Sequence, residues 1–204
     1  MTLNAQNDVT LNPLSTLTAN GVVSLNATAG DIQQTASSVI TAPELAFNAG
    51  GQAWLAGANL VDTVAGTAVS DIALVNGQAL EIGSVGVLNG LTSAAGDISV
   101  WTTAGGMTVN QAVGAAAGEV LLDAAGLLTL AANVDADTLA RLNADFGISQ
   151  TGGRIAADAL AFDSGGGVMI DEVNNSIAAV AGTAADAIYL YNAGSPLEIG
   201  TVDG

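Results

Sequence analysis

Val64-Ala-Gly-Thr-Ala-Val-Ser-Asp-Ile-Ala-Leu-Val-Asn76 returns further along the chain as Val180-Ala-Gly-Thr-Ala-Ala-Asp-Ala-Ile-Tyr-Leu-Tyr-Asn192, with eight of thirteen positions identical. Other fragments recur at nearly the same distance. Gln34-Thr35 matches Gln150-Thr151, Leu45-Ala-Phe47 matches Leu160-Ala-Phe162, and Leu80-Glu-Ile-Gly83 matches Leu197-Glu-Ile-Gly200. The offsets are 115 to 117 residues, so a unit near 116 is present in a little under two copies, with equivalent parts at 34–83 and 150–200. An internal repeat is therefore the organising fact of this chain.

Between these anchors the copies fall out of step. Gly21-Val-Val-Ser-Leu-Asn-Ala27 resembles Gly118-Glu-Val-Leu-Leu-Asp-Ala124 at an offset of 97, and register resumes at Gly147-Ile-Ser-Gln150. The second copy thus carries about nineteen additional residues, roughly 125–143. A solenoid gains a whole coil without disturbing the rest, because each coil touches only its neighbours. A coil of ~19–20 residues suits a three-faced parallel β-helix, and 116 is close to six of them. The expected fold is all-β, a right-handed parallel β-helix of about ten coils. Residues 1–204 form one continuous segment, and 125–143 are an inserted coil, not a protruding loop.

Local patterning agrees. Short alternating runs such as 22–26, 72–76, 98–102, 120–123 and 188–192 are separated by Gly, Asn, Asp and Ala-Gly pairs, the mark of half-buried strands. Only 135–146 offers a helical alternative, with Leu139, Leu142 and Phe146 at roughly helical spacing. Matched positions between copies should point inward, since they must keep a similar apolar volume. Ile72, Leu74, Ile188 and Leu190 are then inside, as are Ala53, Leu55, Val168, Ile170, Ile98 and Val100. Trp54, Trp101, Tyr189 and Tyr191 fall on the outer face and are the exposed contact candidates. Asn59, Asn76, Asn175 and Asn192 read as turn residues that adopt positive φ or stack their amides between coils.

Composition removes many functions. The chain has 19 acids, two arginines, no lysine, no histidine and no cysteine, for a net charge of -17. That excludes Cys/His metal sites, thiol nucleophiles, a Ser-His-Asp triad and imidazole base catalysis. Two cations cannot grip phosphates, which argues against nucleic acid and anionic membrane. The longest uncharged stretch, 98–118, is too rich in Ser, Thr, Asn, Gln and Gly for a membrane span. Residues 1–17 have neither the basic nor the apolar region of a signal peptide, so the expectation is an internal piece of a longer parent.

Gln34-Thr35, Val39-Ile-Thr-Ala42, Leu45, Ala49-Gly-Gly51, Asn59, Val64-Ala65, 72–76 and Leu80-Glu-Ile-Gly83 resemble the repeats of filamentous-haemagglutinin-type proteins. The second copy echoes them through Gln150, Gly153, Ile155, Ala157, Leu160 and 197–200. The resemblance implies a giant secreted bacterial adhesin with a β-helical shaft, an extracellular or cell-surface location and an outer-membrane secretion partner. It also implies a host or matrix glycan or protein as receptor.

Two acidic features compete with a purely structural role. Asp135 and Asp137 would share one face of a strand about 7 Å apart, near glycosidase separations. Cationic or tyrosine support is thin there, and no catalytic residue is assigned. Asn133, Asp135 and Asp137 also mimic the first three ligand positions of a calcium loop, but Thr138 replaces its glycine and Ala144 its closing glutamate. Calcium is the one candidate cofactor; polar turns on a solvated rim are the plainer reading. The expected role is a non-catalytic shaft segment that stacks on neighbouring repeats and associates end to end with itself. The alternative is a carbohydrate-active or carbohydrate-binding module on the same scaffold.

Overall fold

The computed structural model describes residues 1–193 and 196–202. Among these there is no helix, and the strands stack as a parallel β-solenoid of about nine turns. One ladder runs its full height. Val9, Ile32, Ala53, Ile72, Ile98, Val120, Ala140, Leu160, Val180 and Ile199 are successive partners on it. From Val9 to Val180 every one of these side chains is buried. The coils run from 19 to 26 residues, as from Ala53 to Ile72 and from Ile72 to Ile98. This uneven length is why there are about nine turns and not ten.

Residues 125–143 supply Leu127–Leu130, Val134–Ala136 and most of Leu139–Ala144, each paired to the coil on either side. The helical alternative at 135–146 fails for the same reason. Ala140, Leu142 and Ala144 alternate into the core between two neighbouring strands, leaving Phe146 73% exposed. Ladder bonds on both sides outweigh a weak local helical preference.

The two sequence copies do not sit on the same walls. In the first turns each coil has two short strands followed by a long one, as in Val9–Leu11, Thr16–Thr18 and Val22–Ala27. Beyond Asp97 the wall that began short is long: Ile98–Thr102 and Val120–Ala124 lie on the ladder of Val9–Leu11. The 26-residue coil makes the change. Its Leu80–Ile82 pairs with Thr63 and Val64, while Leu91–Ser93 pairs with Gly66 to Ala68. One long strand is thus met by two short ones. The residues between them leave as an antiparallel hairpin, Ser84–Val85 with Leu88–Asn89. Val85 folds back against Ala46 and Ala65 on the outside of the coil, and Val87 at the tip is 93% exposed. In consequence Ile72 lies on the Val9 ladder, whereas its repeat mate Ile188 lies on the ladder of Leu80, Met107, Leu128, Ile148 and Val168.

Inward side chains are as expected for Ile72, Leu74, Ala53, Leu55, Val168, Ile170, Ile98 and Val100, all buried. Leu190 is partly buried against the core, and Ile188, in register with inward Val168, is nonetheless 48% exposed. It sits at the top of its ladder, where no described strand covers it. The corner asparagines do not use positive φ; among the described non-glycine residues only Leu14 does. They bond through their amides instead. Asn59 and Gln34 exchange hydrogen bonds of 2.7 and 3.0 Å, and Asn59 Oδ1 accepts the Ile40 N–H. Asn175 and Gln150 repeat the arrangement at 2.9 and 2.8 Å, with Ile155 as the N–H donor. Asn76 and Asn192 close the adjoining corner, each bonding both backbone groups of one residue, Val61 and Ile177 respectively.

The matched Phe–Gly pairs have an equally direct cause. Phe47 is paired with Gly66 one coil on, and Phe162 with Gly182. A Cβ on either glycine would overlap the ring. Gly66→Ala should therefore destabilise the protein by about 1–3 kcal/mol through overpacking. Phe47→Leu in the same chain should return part of that loss. Urea unfolding of the two single variants and the double variant checks this; strictly additive losses would contradict the pairing.

Candidate functional site

Four of the nineteen acids are built into one corner. Where the chain enters the long ladder, the Asp8 carboxylate accepts the Asp31 N–H (2.9 Å), and Asp31 accepts the Gln52 N–H (2.9 Å). Higher up, Asp71 accepts the Asp97 N–H (3.0 Å), and Asp97 accepts the Glu119 N–H (2.8 Å). Each bond crosses from one coil to the next and satisfies a donor that the strand ladder does not reach. The preceding glycine is part of the device. At Gly51, Gly96 and Gly118 a Cβ would collide with the carboxylate of the coil below. The recurring signal was Gly-Asp or Gly-Glu directly before an Ile or Val strand, as at Gly96-Asp97 and Gly118-Glu119.

Asp135 and Asp137 line one shallow groove together with Arg154. Asp135 lies outward on Val134–Ala136, and its Oδ1 accepts Arg154 Nε at 3.0 Å. Asp137 follows in an exposed turn. Asn133 Oδ1 accepts the Arg154 N–H at 3.2 Å. Of the proposed calcium oxygens, that of Asp135 already faces a cation, the guanidinium of Arg154, and that of Asn133 is engaged by the Arg154 backbone. No group of three acidic side chains placed to hold a metal ion occurs among the described residues. The Asp135–Arg154 pair is about half exposed and belongs with surface ion pairs, worth about 0–1 kcal/mol.

Trp54, Tyr189 and Tyr191 are 49%, 61% and 50% exposed, and Trp101 is half-buried on the same outer surface. The repeat shift separates them. Trp54 and Trp101 stand on the wall of the Val9 ladder, whereas Tyr189 stands beside Met169 on the Leu80 ladder. Trp54 and Trp101 flank one notch whose floor includes Ala73 and Ser99, with Asp71 and Asp97 at its edge. A second, more open groove further up is lined by Leu127, Phe146, Met169 and Tyr189.

These features define a β-helical repeat protein. Comparison with family models, curated proteins and solved structures finds no match.

The corner predicts a split between two substitutions. Asp97→Asn keeps an oxygen acceptor for the Glu119 N–H and should cost little stability. Asp97→Ala leaves that donor unpartnered and should cost about 1–2 kcal/mol. Urea midpoints of the two variants check it; equal losses would remove the structural role assigned to the carboxylate.

Proposed function

We propose that this chain is a non-catalytic segment of the shaft of a large secreted bacterial surface adhesin or extracellular fibre. The observation that supports it best is the single ladder from Val9 to Ile199, which passes through the repeat junction and the additional coil without a break. Nine turns at roughly 4.8 Å each make a rod about 43 Å long. Such a rod transmits length and stiffness, because its strength lies in hydrogen bonds parallel to its axis. The resemblance of its repeats to filamentous-haemagglutinin-type proteins lends the reading its surface location and its outer-membrane secretion partner. Absence of His and Cys, and the engagement of Asp135 by Arg154, favour a mechanical role over a catalytic one.

The partners in this reading are other coils. Neighbouring repeats of a parent chain would stack on this one, and isolated copies would stack end to end in a heterologous contact that need not close. The net charge of -17 opposes that stacking at low ionic strength. Association should therefore strengthen as salt is added, read by sedimentation and negative-stain imaging. A species that stays monomeric at every salt concentration would count against stacking.

Digestion with a broad-specificity protease tests the shaft itself. The first cut should fall at the exposed hairpin tip around Val87, with the coils resistant thereafter, as mass spectrometry would show. Rapid fragmentation throughout the coils would defeat the reading, as would hydrolysis of an acidic polysaccharide that is lost on Asp135→Ala.

A further inference from the structure

We infer that the notch between Trp54 and Trp101 is a binding site for a small free organic cation of the alkylammonium class. Trp54, Ala73 and Ser99 are successive partners across three coils, and Trp101 follows Ser99 by two residues on the same outward face. The two indoles are thus offset by two strand spacings, about 9.6 Å, and by two residues along the strand, about 6.6 Å. The small side chains of Ala73 and Ser99 leave the space between them open, a notch of about 250 Å³. Asp71 and Asp97 line its edge. Each spends Oδ1 on a backbone N–H of the coil above. Neither Oδ2 receives a hydrogen bond from the described residues.

The chemistry of the lining selects the ligand. Two indole faces carry negative quadrupole potential, and the two carboxylates offer only acceptors and charge. An ammonium group satisfies both at once, and N-methyl groups would pack on the indoles and the alanine floor. A neutral polyol would need matching donors, and the lining side chains provide only the Ser99 hydroxyl and the indole N–H groups. The surrounding field has the same sign, since the chain carries -17 overall. Arg141 lies on this wall too, two coils beyond Ser99 with Leu121 between them.

The protein's two tryptophans both lie at the notch, so tryptophan fluorescence reports on it. Trp54 also borders the adjoining groove of Thr10, Gln33 and Gln52, and loss of the signal in Trp101→Ala assigns it to the notch. Titration with choline chloride, against sodium chloride at matched ionic strength, should give a saturable change. The uncharged isostere 3,3-dimethylbutanol should bind about tenfold more weakly or not at all. Asp71→Asn and Asp97→Asn should each weaken choline binding several-fold while the circular dichroism stays unchanged. Trp54→Ala and Trp101→Ala should each weaken it about tenfold by calorimetry. Equal binding of the uncharged isostere, no saturation by choline, or saturation by a neutral oligosaccharide in its place would overturn the assignment. Binding to phosphatidylcholine vesicles without binding free choline would overturn it also.

Discussion

Most strand residues described in this protein have a ladder partner on the coil above, the coil below or both, and that stacking governs the rest. At about 4.8 Å between coils, a residue cannot be chosen without regard to its ladder neighbours. Phe47 fits because Gly66 follows it, and Phe162 because Gly182 does. The same closeness turns a buried amide into a crosslink between coils. Gln34 and Asn59 lie 25 residues apart yet satisfy one another, and Gln150 and Asn175 do the same. Without those exchanges, buried corners would hold orphan donors and acceptors at a cost of about 1–3 kcal/mol each. No buried side-chain N or O among the described residues lacks a partner.

Acidity follows from the same geometry. Part of the negative charge is structural, because a corner carboxylate accepts the N–H of the next coil. Stacked like charges repel by roughly 0.9 kcal/mol at one strand spacing even in water. Gln52 separates Asp31 from Asp71 in the stack, while Asp8 and Asp31, and Asp71, Asp97 and Glu119, meet on successive coils where the N–H bonds to the aspartates offset the repulsion. The acids that would have suggested catalysis or calcium gather around one cation. Asp135 meets Arg154 from the next coil, and Asp137 is an exposed residue on the rim of the same groove.

The wall change at residues 72–97 gives the repeat a second consequence. Aromatic residues on equivalent outward positions of the two copies do not line up along one side of the rod. Trp54 belongs to one wall and Met169 and Tyr189 to the next. A shaft built from such units would present its exposed aromatics in turn around its circumference. The hairpin at the junction is what makes this compatible with an unbroken ladder, since it removes the residues that would otherwise clash with the split strand.

Much was legible in the sequence alone: the repeat, the parallel β-helical class, the outward setting of Trp54, Trp101, Tyr189 and Tyr191, and the inward setting of most matched residues. These follow from period-two alternation and from the need of equivalent positions to keep equal volume. Coil lengths of 19 to 26 residues were not legible. They depend on where the chain turns, and many different turns join the same strands. For that reason the turn count, the wall change and the exposure of Ile188 belong to the tertiary structure. So does the meeting of Trp54 with Trp101: they are 47 residues apart in the chain, and only two coils of unequal length bring them to one notch. Strand identity is a local property of alternating side chains, whereas the neighbour across a ladder is decided by the length of everything between.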